Sequence, residues 1–167
     1  MKLCVVAGNP KAGSRTLDAA GLLATRLTGA SVDSTVDVIT LGPGLLGWGD
    51  DKVAAAVDTV AGSTVAVIAS PTFKATYTGV LKLFLDQFAT GSGLAGVVAV
   101  PLMLGAGPAH AMAPDLLLRP LLSELGASCP APGLYLIDSE YTTDSRIDDY
   151  AERWSETVSA AALARAE

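Results

Sequence analysis

Histidine occurs once in these 167 residues, cysteine twice, and aromatic side chains make up only 5%. Cys4 and Cys129 stand alone, without a Cys-x-x-Cys pair or a histidine cluster beside them, which argues against a structural metal or a disulfide framework. They read as structural thiols in a reducing compartment, Cys4 in a buried strand and Cys129 beside a turn. No Ser/His/Asp constellation and no paired-carboxylate site is apparent. No apolar run approaches the ~20 residues needed to cross a bilayer. Residues 1–7 lead straight into a strand-like segment rather than a charged head, an apolar stretch and a cleavage site, so no signal peptide is expected. Basic residues number 11 against 17 acidic ones, a net charge of -6, and no basic patch marks a nucleic-acid binder. There is no linker, internal repeat or low-complexity tract. These absences predict a soluble cytoplasmic protein with no nucleic-acid or membrane partner, folded as one domain over residues 1–167.

What the chain has in quantity is small and branched apolar residues. Half of it is hydrophobic and 17 residues are glycine, a composition suited to tightly packed α/β layers. The centre of organisation is residues 63–88. Residues 63–69 (STVAVIA) form a short apolar, β-branched run that reads as a buried strand, with Pro71 expected to stop it. A polar and aromatic loop follows. After Gly79 the period changes: Val80, Leu81, Phe84, Leu85 and Phe88 make one helical stripe, with Leu83 off it. The loop between them therefore lies at the carboxyl end of a central strand, where open α/β sheets bind ligands.

Two other loops have the same placement. Residues 2–7 read as the first buried strand. They open on Gly8-Asn-Pro-Lys-Ala-Gly-Ser-Arg-Thr16 and a helix with Leu17, Ala20, Leu23, Ala24 and Leu27 inward. Ser14 or Thr16 is the expected N-cap and Gly29 the stop. A helix start after a small-residue loop is a ready anion site; the Ser14 and Thr16 hydroxyls can donate to a phosphate and Arg15 can pair with it. Neither GxxxxGK[ST] nor GxGxxG is present, which favours a monophosphate over a triphosphate or a dinucleotide pyrophosphate. Residues 96–103, interrupted by Pro101, read as a further strand leading into the loop 104–110.

The remaining segments complete an alternation of strand and helix. Residues 32–41 read as a second strand and 42–50 as a glycine-rich loop in which Trp48 covers an opening. Residues 51–61 form a weak helix, 133–137 the last strand and 146–164 the closing helix. Tyr150 and Trp154 on that helix read as core. Such alternation means a parallel sheet with helices on both faces.

The segment SPTFKATYTGVLKLFLDQ resembles the S/T-P-x-Y-x-x-x-x-G-x-L-K-x-x-L-D stretch of the flavodoxin-like NAD(P)H-dependent FMN reductases. Most similar is the branch that supplies reduced flavin to two-component monooxygenases, such as the alkanesulfonate-utilisation reductases. The first loop is similar to that family's G-S-P-x-x-x-S-R-S/T, with Asn9 where Ser is common. Residues 105–110 resemble its G-G-x-x-A-H loop, and the likeness reaches Ala127. The fold this implies is a flavodoxin-like three-layer sandwich with a five-stranded parallel sheet, order 2-1-3-4-5, bringing the three loops together.

The function the resemblance implies is hydride transfer from NADPH (or NADH) to FMN, with the reduced flavin passed to a monooxygenase. An FMN-retaining quinone or azo-type reductase and a non-enzymatic electron carrier are the alternatives. The implied phosphate ligands are Ser14, Arg15 and Thr16. The implied isoalloxazine-holding loops contribute Pro71, Thr72, Phe73, Lys74, Ala75, Tyr77, Gly105, Gly107 and His110. Phe73 and Tyr77 border the ring system or simply pack, and Lys74 attracts phosphate or is solvated. His110 is expected to anchor its loop rather than act as a base, because hydride transfer needs none. No residue is assigned a catalytic role and no metal is expected. The choice between the two nicotinamides stays open, since Arg15, Lys74 and Arg119 are all candidate contacts for a 2′-phosphate.

The helix after residue 109 carries two further expectations. Met112, Leu116, Leu117, Leu118, Leu121, Leu122 and Leu125 circle it, so burial on more than one side, in a homodimer or homotetramer, is expected. The resemblance also implies a one-residue π-type insertion around residues 115–118, where this chain has Leu116 in place of the family's Tyr or His. Pro114 and Pro120 disturb the same helix.

Overall fold

The computed structural model describes residues 1–164. Five strands, β1 (Leu3–Ala7), β2 (Ser34–Asp37), β3 (Val65–Pro71), β4 (Val98–Gly105) and β5 (Leu134–Ile137), pair in parallel in the order β2-β1-β3-β4-β5. Helices α1 (Arg15–Thr28), α2 (Asp51–Ala61), α3 (Gly79–Leu85), α4 (Arg119–Glu124) and α5 (Arg146–Leu163) cover both faces. This is the expected flavodoxin-like sandwich. No helix among the described residues is long and apolar enough to cross a membrane.

The two-residue period of a strand divides the core. Leu3, Val5, Val65, Val67, Val98 and Val100 face α1 and α5, where Leu23, Ala24, Ile147 and Val158 meet them. Cys4, Val6, Ala66, Ile68 and Ala99 face the other layer, against Val53, Leu81, Phe84, Leu118 and Leu122. Both sets are buried, so the central strands read as continuous apolar runs rather than alternating ones. Cys4 is buried and Cys129 half-buried, and both are free thiols. Tyr150 belongs to the core; Trp154 is only partly buried against it.

Three expectations about boundaries are corrected. β3 runs through Pro71, which pairs with Leu104. The proline's missing donor falls beyond the last β1–β3 pair, Ala7 with Ala69, and the Gly8 carbonyl accepts from the Thr78 hydroxyl instead. Pro101 does not interrupt β4, because pairing with β5 begins only at Leu102, leaving no ladder bond for the proline to miss on that side. β2 ends at Asp37, well short of residue 41: residues Val38–Leu46 coil into 3-10 turns, kinked at Gly42 where φ is 66°. Trp48 is 77% exposed there, at the edge of shallow clefts it shares with Gln87.

The expected π turn is present at Pro114–Leu118 and runs directly into α4. Asp115 fastens it: its Oδ1 accepts from the Gly133 amide at 2.8 Å and from Arg119 Nη1 at 3.3 Å. Arg119 Nη2 also donates to the Cys129 carbonyl at 2.8 Å. Leu118 and Leu122 turn inward, whereas Met112, Leu116 and Leu117 stay exposed.

Candidate functional site

The first wall is the β1–α1 loop. Ser14 is the N-cap, its hydroxyl accepting from the Leu17 amide at 3.3 Å, and Gly29 in the left-handed conformation ends the helix. A helix start leaves the Arg15 and Thr16 amides without intrahelical acceptors, at the positive end of α1. Thr16 is buried, and its hydroxyl accepts from Asn9 Nδ2 at 2.9 Å while Asn9 Oδ1 accepts from the Lys11 amide at 2.9 Å. Asn9 thus braces the loop from within. Asp37, at the end of β2, accepts the Gly13 amide on Oδ2 at 2.8 Å, while its buried Oδ1 has no partner among the described residues.

The second wall follows β3. The Ser70 hydroxyl is fully buried, donates to the Pro71 carbonyl at 2.8 Å and accepts from the Thr78 amide at 3.0 Å, closing residues 71–78 at their base. Phe73 and Thr76 exchange backbone bonds at 2.9 and 3.3 Å. Lys74 and Ala75 between them have φ of 51° and 71°, a two-residue turn of the kind normally given to Asn-Gly. Inside this loop the Thr72 hydroxyl is buried and has no hydrogen-bond partner among the described residues.

The third wall follows β4. Tyr135 on β5 donates its hydroxyl to the Gly107 carbonyl at 2.8 Å. A Cβ on Gly105 would lie 1.9 Å from that hydroxyl oxygen, so only glycine lets the tyrosine reach across. A single 3-10 turn, Pro108–His110, follows.

The three walls enclose a cleft of about 550 Å³ that brings together Ser14, Arg15, Thr16, Pro71, Thr72, Phe73 and Gly105. An adjoining cleft of about 500 Å³ shares Thr72 and Gly105 and adds Gly107, His110 and Tyr135. Lys74, Ala75 and Tyr77 line neither: the first two are exposed at the turn, and Tyr77 is half-buried against the α3 side of the core. Phe73 is 51% exposed at the rim, and His110 is exposed. Sequence reading missed Asn9 as a brace, Asp37, Ser70, Tyr135 and Asp138. Asp138, just past β5, lines the larger cleft and holds Arg15 by a bond from Nη1 to its main-chain carbonyl at 3.2 Å. The chemistry this surface offers is anion binding at the α1 start beside a slot with hydroxyl and backbone groups for a polar ring edge.

Comparison with known proteins gives the same direction. The family described as NADPH-dependent FMN reductase matches residues 1–143. The chain is 36% identical over 87 residues to an FMN reductase (NADPH) of Escherichia coli K12, covering 52% of this chain and 42% of that protein. It is 34% identical over 74 residues to an FMN reductase (NADPH) of Pseudomonas putida, covering 44% and 37%. The matched segment thus spans about two-fifths of the length of these curated relatives. Among solved structures, an NADH:FMN oxidoreductase in its apo form superposes with a TM-score of 0.80 at 31% identity, over 98% of this chain and 89% of that one. An oxidoreductase from Corynebacterium diphtheriae, 24% identical and covering 98% and 96%, has a TM-score of 0.78 and the same fold.

Proposed function

The chain belongs to the NADPH-dependent FMN reductase family, and from that premise we propose that it reduces FMN at the expense of NADPH and hands the reduced flavin to a monooxygenase. The observation that carries the reading is the convergence of a capped helix start and a buried, partnerless Thr72 hydroxyl in one cleft. The residues present fit FMN. The α1 start suits a monophosphate, and the unsatisfied hydroxyl suits a ligand with a polar edge, since a buried polar group without a partner is costly.

Ser14 and Thr16 would donate their hydroxyl hydrogens to the phosphate, with Arg15 as its cation and the Arg15 and Thr16 amides completing the set. Thr72 and the backbone of residues 105–107 meet the ring system; donors placed there stabilise negative charge developing on the ring. Phe73 shields the rim. FMN, when bound, would supply the redox chemistry, as acceptor of a hydride from the reduced nicotinamide. The protein's task is to hold donor and acceptor within about 3–3.5 Å of each other. His110, exposed at the end of its turn, moves no proton, since hydride transfer needs no base.

NADPH oxidation by purified protein tests the reading. NADPH loss that depends on added FMN, with the protein itself colourless, is the expected result. NADPH left untouched in the presence of FMN overturns the activity, and FMN that copurifies and never exchanges overturns the handover.

The exposed face of Met112, Leu116 and Leu117 supports assembly into a homo-oligomer of at least two copies, because those side chains are 66%, 62% and 40% exposed on one short stretch. Light scattering at micromolar concentration checks this, and a monomer contradicts it.

A further inference from the structure

The cation at the phosphate site is already engaged. Arg15 Nη2 lies 3.4 Å from Asp138 Oδ2, and Nη1 donates to the Asp138 main-chain carbonyl at 3.2 Å. Asp138 is in turn held by its own amide, which donates to the Gly105 carbonyl at 2.9 Å. Both side chains line the larger cleft. A carboxylate facing a cleft that offers a helix start and an arginine to an anion opposes that anion. The planar guanidinium fork also does not serve a carboxylate and a phosphate fully at once. The pair is open to water, with 61% of the Arg15 side chain and 36% of the Asp138 side chain exposed, so its strength is that of an exchangeable surface pair.

We propose that Asp138 competes with the flavin phosphate for Arg15 and so sets how readily FMN leaves. The inference rests on the placement of the phosphate at the start of α1. On binding, Arg15 turns from the Asp138 carboxylate to the phosphate; on release the carboxylate takes it back. Asp138 acts through Arg15 and touches no reacting atom. The competition bears on phosphorylated flavin and leaves riboflavin, which has no phosphate, unaffected.

The test is titration of wild type, Asp138→Asn, Arg15→Ala and the double variant with FMN and with riboflavin, followed by flavin fluorescence. Asp138→Asn keeps the side chain's shape and the backbone bonds. It is expected to tighten FMN by about two- to fivefold, the scale of one exposed ion pair, with a slower off-rate and no change for riboflavin. In the Arg15→Ala background the same substitution is expected to do little. Weaker or unchanged FMN binding in Asp138→Asn overturns the proposal. So does an equal shift for riboflavin, or a gain that persists undiminished without Arg15. Wild-type protein that binds riboflavin as tightly as FMN removes the phosphate placement itself, a failure distinct from the other three.

Discussion

The Tyr135 hydroxyl reaches the Gly107 carbonyl at 2.8 Å by passing through the space that a Cβ on Gly105 would occupy. One bond from β5 therefore fixes the backbone of the third loop, and one missing methyl makes that bond possible. Tyr135→Phe is expected to cost about 1 kcal/mol of stability, the scale of one buried hydrogen bond, and to weaken FMN binding through a looser loop. Gly105→Ala is expected to cost about 1–3 kcal/mol by overpacking, and Tyr135→Phe in that background to recover part of the loss. Urea denaturation of the two single variants and the double variant checks both statements.

At the α1 start, Ser14→Ala together with Arg15→Ala is expected to weaken FMN binding by roughly 2–4 kcal/mol, each charged or buried donor contributing about 1.5–3 before non-additivity. Ser14 also caps the helix, so part of the measured change is stability, and thermal melts of the free protein separate the two. Unchanged FMN affinity would reject the phosphate site.

Lys74 and Ala75 hold positive φ with full side chains. The left-handed conformation costs about 1–2 kcal/mol for a non-glycine residue, against a backbone-entropy penalty of about 0.4–1 for introducing glycine. Ala75→Gly is therefore expected to stabilise the protein by roughly 0.5–1 kcal/mol, read from denaturation midpoints. A loss of stability of that size would mean that the turn is not the two-residue form described.

Burial pushes the Tyr150 hydroxyl well above the ordinary tyrosine pKa, and the charge of Asp115 adds to the shift. Its proton is donated to the Pro132 carbonyl at 2.6 Å. The unfolded chain loses that proton first, near pH ~10, so above this value the folded state binds more protons and stability falls as pH rises. Tyr150→Phe is expected to flatten this alkaline loss while costing about 1 kcal/mol at neutral pH for the missing bond. Stability curves from pH 7 upward for the two proteins decide it.

Local signals in the sequence carried most of the frame. The Ser14 cap, the Gly29 stop and the α1 stripe are written in adjacent residues, and the apolar β-branched runs announce the buried parallel strands. The π turn was legible through resemblance, and the structure adds its physical cause in Asp115, Gly133 and Arg119. What escaped depends on distant partners. Pro71 and Pro101 sit within strands because the ladder on one side has ended or not begun, which no local pattern reveals. Tyr135 hides in an apolar strand, and Asp138 reads as a turn residue until β5 is placed beside β4 and the carboxylate meets Arg15 from 123 residues away. Residues 38–41 look like a continued strand because Val38, Ile39 and Leu41 suit either form; the chain coils into 3-10 turns from Val38 instead, with Gly42 and Pro43 inside them.

A crystal structure of the protein with FMN tests the central claim most directly. The expected result places the phosphate against Ser14, Arg15 and Thr16 at the start of α1, with the ring edge beside Thr72 and the backbone of residues 105–107. A phosphate bound elsewhere, with the α1 start left to solvent and Thr72 still without a partner, would contradict it.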